Sequence, residues 1–285
     1  MSKLKIAIQK SGRLSEDSLR LLSSCGIQVD NGQDQLKVVV PNFPLEILFL
    51  RNTDIPQYVE DGVADVAIVG ENLLIEQGKS VEIVQRLGFS RCRVSLAVPK
   101  DVEVNTIDYF NGKKVATSYP NTVSSYFRKN GVTADIHVIS GSVEIAPNIG
   151  LADGICDIVS SGSTLFKNGL KETDIILRSE AVLIQSPNLS SDQNQLLEKL
   201  LFRIRAVLKA KNSKYILMNV PNEKIAQVSS ILPVLKSPTV LPLAEPGWSS
   251  LHSVIDEGKF WEVIDELKGA GAEGILIVPI DKIVL

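Results

Sequence analysis

The stretch Ile155-Cys156-Asp157-Ile158-Val159-Ser160-Ser161-Gly162-Ser163-Thr164-Leu165 holds the residue types of a sugar-phosphate site. An apolar run that reads as a strand carries a carboxylate near its end, four small residues follow, and Thr164 opens a helix. Small residues let backbone N–H groups close around a phosphate. The helix start adds partial positive charge, and the hydroxyls of Ser160, Ser161, Ser163 and Thr164 add donors. With a ribose 5-phosphate seated on Ser160–Thr164, Asp157 is placed to take the sugar diol. A plainer reading stands beside this one: Ser/Gly-rich turns between strand and helix are common, and Thr164 also reads as an N-cap.

The loop is close to the one that binds phosphoribosyl diphosphate in the common phosphoribosyltransferases, with one departure. Those loops carry two adjacent acids, and here Cys156 holds the first acidic position. Either the site differs or a second carboxylate comes from elsewhere. Gly141-Ser142-Val143-Glu144 precedes a short helix from Ile145, so Glu144 is either that carboxylate or a first-turn acid favoured by the helix dipole. Two further segments bear cations at strand ends. Lys10-Ser11-Gly12-Arg13-Leu14 pairs a point charge and a bidentate fork with a glycine that permits close approach, which suits a polyphosphate. Arg51 follows a second strand, just before Asp54-Ile55-Pro56. Tyr119-Pro120 closes a third, where Tyr119 either stacks on a purine or packs.

The elements that must position these groups alternate between strand and helix through roughly the first 190 residues. Strands are expected at Leu4–Gln9, Glu46–Leu50, Val63–Val69, Val81–Leu87, Arg93–Val98, Lys114–Thr117, Ala134–Ile139 and Ile155–Val159. Helices are expected from about Ser15, from a cap at Thr53 to near Gly62, and from Pro120 to Gly131. The alternation predicts an α/β fold. Gly62-Val63-Ala64-Asp65 and Gly150-Leu151-Ala152-Asp153 each lead into a strand, then a glycine (Gly70, Gly162), then a helix. This echo suggests two similar lobes whose strand ends face a shared cleft. Ser190–Ala210 reads as an amphipathic helix with Leu196, Leu197, Leu200, Leu201, Ile204, Val207 and Leu208 on one face. Beyond it, Tyr215–Val220, Glu223–Leu232, Thr239–Leu243, Trp248–Val254, Lys259–Lys268 and Glu273–Pro279 follow the order β-α-β-β-α-β. That is the ferredoxin-like pattern of a separate small domain.

The chain of 285 residues is long enough for two or three domains, with 44% hydrophobic and 22% charged residues, the composition of a globular protein with a real core. A net charge of −3 gives no electrostatic case for nucleic acid, so an anionic substrate requires local clusters of Lys and Arg. Cys25, Cys92 and Cys156 lie far apart with no CxxC and read as small reduced core thiols of a cytoplasmic protein. The N-terminal segment has neither the apolar core nor the cleavage site of a signal peptide, and no apolar run approaches the ~20 residues that cross a bilayer. The two histidines, His137 and His252, are not at metal-ligand spacing, which argues against a structural zinc or a Ser-His-Asp triad.

Taken in order, these segments resemble the long-form ATP phosphoribosyltransferase family, which catalyses the first step of histidine biosynthesis. The likeness is carried by Gln9–Leu14, Asp54-Ile55-Pro56, Gly70-Glu71-Asn72, Val115–Pro120, Gly141–Pro147, Gly150–Asp153, Asp157–Leu165, Asn168-Gly169-Leu170, Ser237–Leu243 and Ile275–Ile280. The resemblance implies two lobes like those of periplasmic binding proteins, residues 1–92 with 180–212 and residues 93–179. It also implies an ACT-like regulatory domain at 213–285. It implies that N1 of ATP attacks C1 of phosphoribosyl diphosphate with inversion and loss of pyrophosphate, with Mg²⁺ accompanying the diphosphate. Asp157 and Glu144 then serve the ribose, Ser160–Thr164 the 5-phosphate, and Lys10, Gly12, Arg13, Leu14, Arg51 and Tyr119 the diphosphate and ATP. Histidine is expected to inhibit through Leu235, Ser237 and Thr239, for which a turn before a strand is the alternative. Inhibition is expected to favour a hexamer over an active dimer. The rival function is a bilobal sugar-phosphate sensor without catalysis.

Overall fold

The computed structural model describes residues 3–30, 35–232 and 237–284. They form two compact units, Met1–Ser23 with Ile27–Leu197 and Ser24–Gly26 with Glu198–Leu285.

The first unit holds two α/β lobes. The first lobe contains β1 (Leu4–Gln9), α1 (Arg13–Ser24), β2 (Lys37–Val39), β3 (Leu45–Leu50), α2 (Ile55–Glu60), β4 (Val66–Gly70), α3 (Glu71–Gln77) and β5 (Glu82–Arg86). The second contains β6 (Cys92–Pro99), β7 (Lys114–Thr117), α4 (Pro120–Lys129), β8 (Asp135–Val138), β9 (Gly154–Val159), α5 (Ser163–Lys167) and β10 (Leu170–Ser179). The chain then returns to the first sheet as β11 (Ala181–Gln185), so it crosses between lobes twice. The sheets run β2-β3-β1-β4-β11-β5 and β10-β6-β9-β7-β8. In lobe I, β3, β1 and β4 are parallel and carry their C-terminal ends to one edge, and β9, β7 and β8 do the same in lobe II. Two sheets joined by two crossings give the bilobal architecture expected of the family. The central strands are buried on both faces, which is why β4 and β11 are unbroken apolar runs rather than alternating ones.

The repeated Gly-x-Ala-Asp is a matched structural device. Gly62 and Gly150 both adopt left-handed φ, +70° and +72°, after which the chain turns back into a strand. The next carboxylate then clamps the neighbouring strand's entry. Asp65 Oδ2 accepts from Lys5 N at 2.7 Å while Asp65 N donates to Lys5 O, and Asp153 Oδ2 accepts from Lys114 N at 2.9 Å while Asp153 N donates to Lys114 O. This clamp also delays the strand: the first one begins at Val66, not Val63.

In the second unit, β12 (Ser213–Pro221), α7 (Ile225–Ile231), β13 (Thr239–Pro242), β14 (Trp248–Asp256), α8 (Glu257–Gly269) and β15 (Glu273–Pro279) form the expected β-α-β-β-α-β order. The sheet is antiparallel throughout in the order β13-β14-β12-β15. Ile216, Met218, Val220, Leu251 and Ile255 alternate onto the face that Val228, Phe260 and Leu267 of the helices cover. Helix α8 starts at Glu257, two residues before expectation, because Asp256 caps it by accepting from Gly258 N at 3.0 Å. α6 (Ser191–Lys211) fits the amphipathic reading, with Leu197, Leu200, Leu201 and Ile204 buried. Other expectations shift. Helix α1 begins at Arg13, and Asp54, not Thr53, precedes α2 as its cap residue. Strands β2, β10 and β11 were not expected.

Candidate active site

On the lobe II edge, period-two alternation along β9 separates Cys156 from Asp157. Cys156 is fully buried in the core with Leu96 and Phe110, and burial pushes its thiol upward, so it stays neutral. Asp157 lies on the opposite face, half-buried and paired in register with Ser95. Burial raises its carboxyl from 3.8 to about 6. The Ile158 N–H opposes that rise, and the charge of Glu144 adds to it. Glu144 sits on a 3-10 turn, Val143–Ile145, entered through Ser142 at φ +52° and anchored by the fully buried Val143 and Ala146. The pair is therefore two carboxylates near enough to sense each other, one from β9 and one from the turn after β8.

Ser160, Ser161, Ser163 and Thr164 are exposed at the end of β9. The cap of α5 is Gly162, in the left-handed region at φ +82°, so Thr164 is the second helical residue and not the N-cap. Gly162 O accepts from Phe166 N, and the Ser161 and Ser163 hydroxyls lie 3.0 Å apart. The equivalent turn in lobe I, Gly70-Glu71-Asn72, is occupied by the returning chain. Glu71 N donates to Glu180 O at 3.0 Å and Asn72 N to Ser179 Oγ at 3.0 Å. Of the two matched strand-to-helix turns, only the one in lobe II is open.

The lobe I edge gathers the cations. Lys10 N donates to Leu50 O at 2.8 Å, which brings the segment after β1 beside Arg51 after β3. Gly12 has φ +91°. Arg13 is 72% exposed, 4.0 Å from Asp17, and Arg51 is exposed. Leu14 is half-buried, its carbonyl accepting from Ser18 Oγ at 2.6 Å. The Asn52 Oδ1 atom beside Arg51 is buried without a hydrogen-bond partner.

The two edges meet at α3 and α4. Asn72 Nδ2 donates to Tyr119 Oη at 3.0 Å, and Asn72 Oδ1 accepts from Ser179 Oγ at 2.9 Å. Tyr119 packs on the lobe II core, and burial, then the Asp157 charge, push its phenol up to about 12, so the hydroxyl stays protonated. Glu76 of lobe I reaches the start of α4. Its carboxylate accepts from Asn121 N at 2.9 Å, Thr122 N at 2.9 Å and Thr122 Oγ1 at 2.7 Å. A charge from one lobe thus caps a helix of the other, whose own cap residue, Tyr119, makes no side-chain cap bond.

The expected site residues therefore fall into three places. Asp157, Glu144, Tyr119 and Ser160–Thr164 share the lobe II edge. Lys10, Gly12, Arg13, Leu14 and Arg51 share the lobe I edge. Ser237 and Thr239 lie in the second unit, where Thr239 pairs with His252 across β13 and β14. Leu235 lies outside the described residues. Asn72, Glu76, Arg93 and Glu172 were not singled out from sequence. Asn72 alone had a signal, since it lies in the Gly70-Glu71-Asn72 segment.

The chain matches the family profile described as ATP phosphoribosyltransferase over residues 51–206 and that described as HisG, C-terminal domain, over residues 210–282. An ATP phosphoribosyltransferase of Cytophaga hutchinsonii is 58% identical over 281 residues, 99% of this chain and 98% of that one. One from Bacteroides thetaiotaomicron is 53% identical over 282 residues, 99% of this chain and 100% of that one. Among solved structures, a chain of the ATP phosphoribosyl transferase (HisG:HisZ) complex from Thermotoga maritima superposes with a TM-score of 0.62 at 28% identity. The match covers 70% of this chain and 95% of that one. The chain belongs to the ATP phosphoribosyltransferase family.

Proposed function

We propose that the chain transfers the phosphoribosyl group of phosphoribosyl diphosphate to N1 of ATP between the two apposed edges, giving N1-(5-phosphoribosyl)-ATP and pyrophosphate. The 5-phosphate sits on Ser160, Ser161, Gly162, Ser163 and Thr164. Asp157 and Glu144 hold the ribose hydroxyls. As the bond from C1 to the diphosphate breaks, positive charge builds on the ribose ring and the two carboxylates favour it. Lys10, Arg13 and Arg51 take the charge of the departing diphosphate and of the ATP phosphates, with Gly12 and Leu14 allowing their close approach and Tyr119 bordering the nucleotide. Adenine N1 already carries a lone pair, so neither a covalent nucleophile nor a general base is required. Catalysis is positioning and electrostatics.

Mg²⁺ enters as part of the diphosphate substrate and neutralises its charge. The site fits an ion held in this way. Mg²⁺ usually keeps several waters and takes one or two carboxylates beside substrate phosphates. Asp157 and Glu144 offer such oxygen donors, and among the described residues no three His, Cys, Asp or Glu side chains converge as a protein-only cage would need. Histidine inhibits through Ser237 and Thr239. It does so in a homo-oligomer, dimeric when active and hexameric when inhibited. Support comes from β13, an edge strand whose four residues are all exposed and so within reach of an effector or a second copy. The setting is the cytoplasm, a reading supported by three unpaired cysteines. No described helix is long and apolar enough to cross a membrane.

The observation that carries the reading is the inequality of the two matched turns: lobe I's is filled by its own chain, and lobe II's is open with two carboxylates behind it. The test mixes protein, ATP, phosphoribosyl diphosphate and Mg²⁺ and follows the absorbance of an N1-substituted adenine. Folded protein that forms no product above background overturns the proposal and leaves a sugar-phosphate sensor.

A further inference from the structure

We propose that Arg93 is a positioning residue for the 160–164 loop, fixed in that role by Glu172. The inference rests on reading that loop as the 5-phosphate seat. Arg93 lies at the start of β6, in register with Val159, the last residue of β9. Its Nη1 donates to Ser160 O at 2.9 Å. Its Nε and Nη2 donate to the two oxygens of Glu172, each at 2.6 Å. Glu172 is steadied in turn by the Ser95 hydroxyl, which donates to Oε1 at 2.6 Å from a side chain only 1% exposed. Nη2 stands 3.9 Å from the place a Cβ on Gly162 would take, so the guanidinium lies under both ends of the loop's first turn.

The consequence follows from peptide geometry. A trans peptide holds its C=O and the following N–H in opposite directions. Binding the Ser160 carbonyl to Arg93 therefore aims the Ser161 N–H away from Arg93. The fork is needed because one side chain must grip the carboxylate and the carbonyl at once. A lysine ammonium lacks that fixed geometry. Glu172 neutralises much of the Arg93 charge, so the contribution to binding is orientation of the loop rather than bulk attraction.

The test measures binding of ribose 5-phosphate and of pyrophosphate by calorimetry for the full-length protein and for Arg93→Lys, Glu172→Gln and Gly162→Ala. It is accompanied by thermal melts and by KM for each substrate. Arg93→Lys is expected to weaken ribose 5-phosphate about tenfold and to raise KM for phosphoribosyl diphosphate similarly. Pyrophosphate affinity and KM for ATP should stay within twofold. Glu172→Gln should act in the same direction with a smaller effect, and it carries the test if Arg93→Lys fails to fold. Gly162→Ala forces a Cβ onto a left-handed residue and should abolish ribose 5-phosphate binding. If Gly162→Ala loses that binding while Arg93→Lys and Glu172→Gln keep it, the role of Arg93 is refuted and the loop assignment stands. If Arg93→Lys weakens both ligands equally, Arg93 is only structural and the proposal also falls. If Gly162→Ala binds ribose 5-phosphate normally, the loop assignment itself is wrong.

Discussion

Asp157→Asn should make the protein more stable and less active, by amounts that the burial of Asp157 sets. Burial and Glu144 raise the Asp157 carboxyl from 3.8 to about 6. The folded chain therefore holds that proton more tightly than the unfolded chain, and stability falls as pH rises from about 4 to about 6. At 1.36 kcal/mol per pH unit the ionised side chain costs about 3 kcal/mol in a dry site. Asp157 is only half-buried, so solvent screening reduces this to about 1–2 kcal/mol. Asparagine keeps the shape and removes the charge. Urea unfolding at pH 7.5 should then show Asp157→Asn more stable by about 1–2 kcal/mol, with the gain vanishing near pH 4. Turnover should fall at least tenfold, about 1.4 kcal/mol of barrier, because the charge that favours a cationic ribose is gone. In the unmodified enzyme kcat/KM for phosphoribosyl diphosphate should climb through pH about 6, as Asp157 ionises in the free protein. A variant that loses stability at pH 7.5 while keeping full turnover would show Asp157 to be a structural carboxylate and refute the reasoning.

Glu144→Gln removes the like charge beside Asp157, so the acid limb of kcat/KM should move to lower pH. An unmoved limb would mean that the two carboxylates are not coupled. Glu76→Gln keeps one acceptor oxygen but strips the charge from the start of α4, and should destabilise the protein by about 1–2 kcal/mol in urea titrations. A change within error would show that solvent caps that helix equally well. Thr239→Ala should raise the histidine concentration for half inhibition at least fivefold. An unaltered concentration would place the effector elsewhere.

What could be read from sequence was what neighbours along the chain decide. The left-handed glycines Gly62 and Gly150 turn the chain within a few residues, so the echo between lobes was visible as a repeated tetrapeptide, although the carboxylates Asp65 and Asp153 reach strand entries 60 and 39 positions back. The turn at 160–164, proposed here as the phosphate seat, was visible for the same reason, although its cap is Gly162, a choice made by backbone conformation rather than by the Thr164 hydroxyl. The cysteine at the first acidic position also has a local cause. Alternation sends Cys156 into the core, and the carboxylate whose charge reaches Asp157 is Glu144, from the turn after β8. What sequence did not display were contacts whose partners are far apart. Asn72 meets Ser179 across 107 positions, and Glu76 caps a helix 46 positions ahead. Arg93 and Glu172 are separated by 79 positions, Arg93 looking like an ordinary strand residue and Glu172 lying on a strand that sequence did not show. These pairings share one property: each ties a site segment to a distant strand, helix or crossing. On the proposed reading, the parts that do chemistry are short and local because a phosphate is small. The parts that hold them still are long-range because a loop of small residues has no rigidity of its own, and must take it from the sheets on either side.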